Sequence, residues 1–287
     1  MTKQINVIVV AKKVIPHVTN VFAHIRTNRI TILFCDKKIS PSWACKKLCS
    51  LPSVEIFIGS NIGGNDETFS HGKPEEFSRL EFPELSIILI KNNDVYTPEN
   101  SHLRDKNFLR EKNIVMTNEN IRAAIISKLE LNDSSIFWDI GAGSGSISIS
   151  IAHENPEIEI YSIEHKLEAV NLISKNAEKF HVHNIKIIHG RAIDVIKNIP
   201  LPSHVFIGGS DGELTDILKF LQKLDNNIRI VTACVTLENF SAAYEIMKCM
   251  KNFEGVQISV TSSKSLTPEL TLMSAKNPVM ILSANTK

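Results

Sequence analysis

The stretch Phe137-Trp138-Asp139-Ile140-Gly141-Ala142-Gly143-Ser144-Gly145-Ser146 constrains the fold of this chain more than any other. It reads as a buried strand, 134–140, that stops at an acid and enters a turn with glycine at every second position. Glycine is needed where φ is positive or where no Cβ fits. A helix opening after such a turn is expected to point its first, unpaired N–H groups at a ligand. From this point strands and helices alternate. Strands are predicted at 134–140, 158–163, 185–189, 204–207 and 229–235, and helices at 144–153, 166–180, 192–198, 213–224 and 238–251. Such spacing implies right-handed crossovers and a parallel sheet. One local signal disagrees: Ile147, Ile149 and Ile151 alternate with serines, which alone reads as a strand. A strand cannot double back after this turn without a partner, so a helix is expected. Two final strands, 256–261 and 279–282, joined by a polar loop, would close the sheet antiparallel.

The preceding part reads as strand Ile5–Val10, strand Arg29–Phe34, helix Pro41–Leu51, strand Val54–Ile58, a turn-rich loop at 61–67 and strand Ser86–Ile90, half of an α/β domain. Residues 91–115 are rich in Asn, Asp, Lys and Glu, which suits a connector. The expected organisation is therefore a domain at 1–95, a linker at 96–115 and a domain at 116–287. Thr117 is placed as the N-cap of a helix whose apolar stripe is Ile121, Ala124, Ile125 and Leu129.

Hydrophobic content of 43% with 22% charged residues is that of a soluble globular protein. Residues 113–287 carry 16 Lys and Arg against 19 Asp and Glu, so the half with the glycine turn gives no case for nucleic acid or an anionic membrane. No run approaches the roughly 18 apolar residues that span a bilayer. The five scattered cysteines imply reduced thiols and a cytoplasmic setting. Cys45 and Cys49 would share a helix face, but nothing nearby completes a zinc set, and no metal is expected.

Spacing narrows the ligand. The dinucleotide pattern Gly-x-Gly-x-x-Gly fails because Ser146 stands where its third glycine should be, and the phosphate loop fails for want of a Gly-Lys-Ser/Thr ending. What remains is Asp-x-Gly-x-Gly-x-Gly, from Asp139 through Gly141, Ala142, Gly143 and Ser144 to Gly145. An acid at the strand end suits a ligand with an ammonium and a sulfonium, which is S-adenosylmethionine; the competing reading is a structural turn with a capping Asp. Glu164, ending the next strand, is spaced to accept both ribose hydroxyls, although surface strands also end in Glu. His165 beside it reads as solvated. Gly190 and Ala192, after the third strand, leave room for adenine against the backbone, or else simply start a helix. Gly208, Gly209 and Ser210 follow the fourth strand, where enzymes acting on base amines often carry an Asp/Asn-Pro-Pro-aromatic motif. Glycines there leave space for a bulkier acceptor.

These residues carry a resemblance. Met116-Thr117-Asn118-Glu119-Asn120-Ile121-Arg122-Ala123, the stretch from Trp138 to Ser146, Phe206-Ile207-Gly208-Gly209-Ser210, Val235-Thr236-Leu237-Glu238 and Asn277-Pro278-Val279 resemble the C-terminal domain of the precorrin-6Y C5,15-methyltransferase (decarboxylating) family of cobalamin biosynthesis. The resemblance implies an α/β class I S-adenosylmethionine-dependent methyltransferase fold, Rossmann-like, with a seven-stranded, mostly parallel sheet. It implies methylation of carbon 15 of a tetrapyrrole (precorrin) with loss of carbon dioxide from the carbon 12 acetate, and a homo-oligomer such as a tetramer. Thr117, Gly141 to Gly145, Glu164 and Ala192 would then be cofactor contacts. In-line transfer to a ring carbon demands no strong general base, and no catalytic residue is singled out. Arg122, Arg191 and Lys186 are candidates to hold substrate carboxylates. One departure is Asn118, where the family usually has Lys. Residues 1–95, through Thr31–Ser50 and Asn61–Glu67, resemble only the second half of a tetrapyrrole methylase domain, so carbon 5 methylation is not expected of this chain. Two other readings stand beside this one: an RNA methyltransferase of the same fold, and a catalytically impaired relic that holds S-adenosylmethionine.

Overall fold

The computed structural model describes residues 7–10, 25, 28–36, 39–49, 53–95, 103–132, 135–155 and 158–287. Four expected pieces therefore lie outside the described residues: the start of the first strand at 5 and 6, the end of the first helix at 50 and 51, residue 134, and 96–102 of the expected linker. The chain divides into two compact units, Met1–Glu99 and Asn100–Lys287.

In the first unit, strands β1 (Val7–Val10), β2 (Ile30–Phe34), β3 (Val54–Ser60), β4 (Thr68–Gly72) and β5 (Ser86–Asn92) form one sheet in the order β1-β2-β5-β3-β4. Only β1 and β2 run parallel; the other neighbours are antiparallel. Helix α1 (Pro41–Leu48) starts at Ser40, whose side chain accepts from the Trp43 N–H at 3.2 Å, with Pro41 in the first turn where its missing donor costs nothing. Its Ala44, Cys45 and Leu48 pack on Leu33, Ile56, Ile58, Ile88 and Ile90. Burial pushes the Cys45 thiol up to about 12, which keeps it a packing residue with no thiolate character. Strand β4 and the short helix α2 (Pro74–Phe77) went unread in the sequence, because Thr68-Phe69-Ser70-His71-Gly72 is an exposed edge without apolar alternation.

The second unit is built on β6 (Ile136–Ile140), β7 (Glu159–Glu164), β8 (Ile185–His189), β9 (His204–Ile207), β10 (Arg229–Cys234), β11 (Lys251–Ile258) and β14 (Val279–Asn285), in the order β11-β14-β10-β9-β6-β7-β8. The five strands β6 to β10 are parallel, and β14 runs antiparallel to both β10 and β11. The helices are α3 (Glu119–Leu129), α4 (Ser146–Glu154), α5 (Leu167–Lys179), α6 (Ala192–Val195), α7 (Leu214–Lys223) and α8 (Leu237–Met247). Phe137, Trp138 and Ile140 of the central strand are fully buried, and the indole N–H of Trp138 donates to the Pro200 carbonyl at 3.1 Å, so its one polar atom is satisfied.

Helix α4 resolves the conflict at Ile147, Ile149 and Ile151. Every residue from Ser146 to Ala152 is buried, so the helix needs no polar face. Ser148, one of the serines that mimic a strand pattern, donates its hydroxyl to Asp139 at 2.6 Å.

Five expectations change. Thr117 is not the cap of α3: Asn118 is, its side chain accepting from the Asn120 N–H at 3.2 Å. The helix expected to run to 251 stops at Met247, and the strand expected at 256–261 is Lys251–Ile258. Asn252 at φ 51° and a bulge between Lys251 and Glu254 hide that strand's alternation. The polar loop expected after it contains a hairpin, β12 (Thr261–Ser265) paired with β13 (Thr271–Ala275). Residues 103–115, expected as linker, pack onto the second unit, with Leu103 and Phe108 buried against Ile149 and Phe180.

Candidate active site

The carboxyl ends of β6, β7, β8 and β9 open onto one cavity of about 460 Å³, within the size range of small-molecule sites. Its wall is the turn after β6. Gly141 sits at φ 70°, and a Cβ there would lie 2.7 Å from the Gly209 Cα and collide with the Gly209 carbonyl. Gly143, at φ 56°, would put a Cβ 2.7 Å from the Val115 carbonyl, because the 113–116 segment crosses directly over the turn. Gly145, at φ 76°, faces Ile173 of α5 and Ile149 instead.

The N–H groups of this turn are already occupied. Gly141 and Ala142 donate to the Ile163 carbonyl at 3.0 and 3.1 Å, Ser144 to the Val115 carbonyl at 3.2 Å and Gly145 to Ala142 at 2.8 Å. Gly143 donates to Glu164 Oε2 at 2.9 Å, and Ser148, in the first turn of α4, donates to Asp139 Oδ2 at 3.1 Å. The turn's own N–H groups are therefore not available to a ligand, and among the first N–H groups of α4 that of Ser148 is taken by Asp139. What the wall offers is negative charge. Asp139 is completely buried, and its second oxygen, Oδ1, has no hydrogen-bond partner. Burial pushes its carboxyl up to about 6; Ser148 opposes the rise and the Glu164 charge adds to it. This wall, with its backbone donors used and two acids on it, suits a cation that carries hydroxyls better than a phosphate.

Glu164 is held by three backbone donors, Gly143 N–H on Oε2 and His165 and Lys166 N–H on Oε1, each at 2.9 Å. The His165 ring lies 3.2 Å from Oε1 as well, which leaves Oε2 with one open lone pair toward the cavity. Glu164 in this arrangement accepts one further hydrogen bond, where two had been expected. His165 had been set aside as solvated. It bridges Glu164 to Asp211, whose Oδ2 is 2.8 Å from its other ring nitrogen, and so ties the loop after β7 to the loop after β9. Adjacency to Glu164 was the one signal that pointed to it.

Of the other residues singled out, Thr117, Gly190, Ala192, Gly208, Gly209 and Ser210 line the cavity; Ser144 and Gly145 do not. Gly209 backs onto Gly141, so part of the glycine pair serves this close approach and not substrate room. Arg122 is corrected outright. It is buried, and its guanidinium donates to Asp105 Oδ1 at 3.0 Å, to the Thr117 carbonyl at 2.9 Å and to the Leu103 carbonyl, over the Phe108 ring. It fastens segment 103–117 to α3 and does not line the cavity. Lys186 pairs with Glu159 and bonds the Tyr161 hydroxyl at 2.9 Å, away from the cavity lining. Arg191 lines the cavity in an ion pair with Glu213. The sequence assigns no site role to Val260, Lys276 and Val279, which form the opposite wall, or to Ile114, Val115 and Met116, which form the roof; Met116 and Val279 enter there only as carriers of the resemblance.

A sheet in which β6 to β10 are parallel and β14 is inserted antiparallel, with an acid-lined glycine turn after the central strand, defines a class I S-adenosylmethionine-dependent methyltransferase. The precorrin methyltransferase domain family matches residues 108–285, and the chain belongs to that family. Among its relatives, the probable cobalt-precorrin-6B C(15)-methyltransferase (decarboxylating) of Pyrobaculum calidifontis is 33% identical over 184 residues, covering 63% of this chain and 93% of that protein. The cobalt-precorrin-6B C(15)-methyltransferase (decarboxylating) of Salmonella typhimurium is 35% identical over 171 residues, 58% of this chain and 85% of that one. The crystal structure of precorrin-6y C5,15-methyltransferase from Geobacter metallireducens superposes with a TM-score of 0.59 at 31% identity, over 63% of this chain and 95% of the other.

Proposed function

We propose that the chain binds S-adenosylmethionine in this cavity and methylates carbon 15 of a cobalt-precorrin, with decarboxylation of the carbon 12 acetate. The observation that carries the cofactor assignment is the buried, unpartnered Asp139 Oδ1 beside a turn whose own donors are all occupied. The substrate assignment rests on the family and on the names of its relatives.

When bound, the cofactor supplies an electrophilic methyl on a sulfonium. Asp139 would pair with its ammonium, Glu164 would take a ribose hydroxyl, and Gly190 and Ala192 would face the adenine. The roof at 113–116 keeps water from the transfer path and fixes the approach of the acceptor carbon, which the conjugated ring makes nucleophilic. Thr117 lies under that roof at the edge of the cavity. Gly208, Gly209 and Ser210 form the side where the acceptor enters. In the first unit, Thr31–Ser50 and Asn61–Glu67 support a relation to tetrapyrrole methylases, and we read the protein as a homo-oligomer.

The test is incubation with methyl-labelled cofactor and cobalt-precorrin-6B, followed by mass spectrometry. A product heavier by one methyl and lighter by one carbon dioxide is expected. Cofactor binding with no change in the tetrapyrrole would refute the assignment.

A further inference from the structure

Charge is unevenly spread along this site. Asp139, Glu164, Asp211 and Glu213 lie in the lining of the main cavity, where Arg191 is paired with Glu213 and the other cations are Lys166 and Lys276. Its mouth continues into two open clefts. One, of about 550 Å³, shares Asn118 and Val260 with the cavity. The other, of about 360 Å³, shares Ile114, Met116, Asn118 and Lys276. Arg104 and Lys106 line the first cleft, and Lys112 and Lys276 the second.

The carboxylates interleaved with these cations are engaged elsewhere. Asp105 binds Arg122 at 3.0 Å and receives the Asn118 side-chain amide at 3.1 Å. Glu111 pairs with Lys175 at 3.7 Å, and Glu119 accepts the Asp105 N–H at 2.8 Å. Among the described residues Arg104, Lys106, Lys112 and Lys276 make no ion pair. Four uncompensated cations around one mouth repel each other and favour an anion there. Asn118, in their midst, is neutral and already used as a helix cap.

We propose that Arg104, Lys106, Lys112 and Lys276 form the grip for the substrate's carboxylates, holding a polycarboxylate tetrapyrrole across the mouth by charge-assisted hydrogen bonds. This deepens the precorrin reading above and rests on it for the identity of the ring. The polarity of the site then sorts its two ligands: the acidic end takes the cationic cofactor and the basic mouth takes the anionic acceptor.

The probe is uroporphyrin III, a tetrapyrrole octacarboxylate, titrated by fluorescence against the full chain, with its octamethyl ester as control. In the quadruple variant Arg104→Gln, Lys106→Gln, Lys112→Gln, Lys276→Gln, the dissociation constant for uroporphyrin rises by about tenfold or more. In the triple variant Arg104→Gln, Lys106→Gln, Lys112→Gln, none of whose residues lines the cofactor cavity, S-adenosylhomocysteine binding stays within about twofold, which also reports that the fold is intact. Lys276→Gln alone gives about threefold. With cobalt-precorrin-6B the quadruple variant raises KM more than it lowers kcat. Equal uroporphyrin affinity in parent and quadruple variant, or an ester that binds as well as the acid, would overturn the grip. A parent that binds uroporphyrin through the four cations yet methylates no precorrin would leave the grip standing and remove the precorrin reading. A parent that methylates, with an unchanged KM in the variant, would do the reverse.

Discussion

Asp139→Asn isolates the buried charge at the end of the central strand. The parent carboxylate is wholly buried, bonded on Oδ2 by the Ser148 N–H at 3.1 Å and hydroxyl at 2.6 Å, and bare on Oδ1. Its pKa is raised from the ordinary 3.8 to about 6, chiefly by burial. Between those values the folded protein holds a proton that the unfolded chain has released. Stability therefore falls as pH rises from about 4 to about 6, and the loss is complete above that window. A rise of this size corresponds to about 3 kcal/mol. Asparagine keeps the shape and an acceptor for Ser148 but has no charge to desolvate. The ligand-free variant at pH 7.5 is therefore expected to gain up to about 3 kcal/mol, a rise in Tm of about 6 to 12 °C for a unit of this size. Its Tm also loses the decline that the parent shows between pH 4 and 6. Affinity for S-adenosylmethionine moves the other way, the dissociation constant rising about tenfold or more with loss of the ammonium partner. Scanning calorimetry from pH 4 to 8 and isothermal titration measure both. A variant no more stable than the parent at pH 7.5 would refute the buried-charge argument, and an unchanged cofactor affinity would refute the pairing with the ammonium.

Glu164→Ala strands the donors of Gly143, His165 and Lys166 and is expected to lower stability by about 2 to 4 kcal/mol, while the cofactor dissociation constant rises at least about tenfold; calorimetry that finds unchanged affinity in a folded variant would sink the ribose assignment. Gly141→Ala adds a left-handed penalty of about 1 to 2 kcal/mol to an overpacking cost of about 1 to 3 kcal/mol against Gly209, and urea unfolding that shows under about 1 kcal/mol of total loss contradicts the close approach. Arg122→Met leaves Asp105 and two carbonyls without their donor and is expected to cost about 3 to 5 kcal/mol; trypsin should then cut at Arg104 to Lys112 faster than in the parent, and equal protection would show that Arg122 is not what holds this segment down.

The parallel half of the second sheet was legible because each of its strands is a short, mostly apolar stretch that ends at a polar or glycine turn, as at Ile140 and Ile163. Helix α4 was legible only by topology, since burial on every side erased its amphipathic period. What stayed hidden depends on distant parts of the chain. Arg122 reads as a free cation in sequence; Leu103 and Asp105, which occupy it together with the Thr117 carbonyl, lie in a segment whose composition resembles a linker. His165 reads as solvated in sequence because Asp211, its second partner, follows it by a whole βαβ unit. Strand β11 was obscured by the bulge at its start, and Lys276 by lying in a polar stretch with no motif of its own.

The three glycines of the Asp-x-Gly-x-Gly-x-Gly pattern answer to three different neighbours, and all three are protein. Gly141 admits the backbone of Gly209, Gly143 admits the Val115 carbonyl, and Gly145 admits Ile173 and Ile149. The motif is diagnostic of the ligand only indirectly: it brings the loop after β9, the roof and helix α5 together around Asp139 and Glu164. The Val115 carbonyl, accepting from Ser144 above Gly143, belongs to the same stretch of chain that carries Arg104, Lys106 and Lys112. One continuous segment, anchored at Arg122, thus roofs the cofactor turn and presents cations at the mouth. A mutation that loosens that anchor should consequently weaken cofactor and polycarboxylate binding together, whereas removing the cations themselves weakens only the second. Measuring both affinities in Arg122→Met and in the triple variant Arg104→Gln, Lys106→Gln, Lys112→Gln separates a roof that merely covers the cofactor from one that also positions the acceptor.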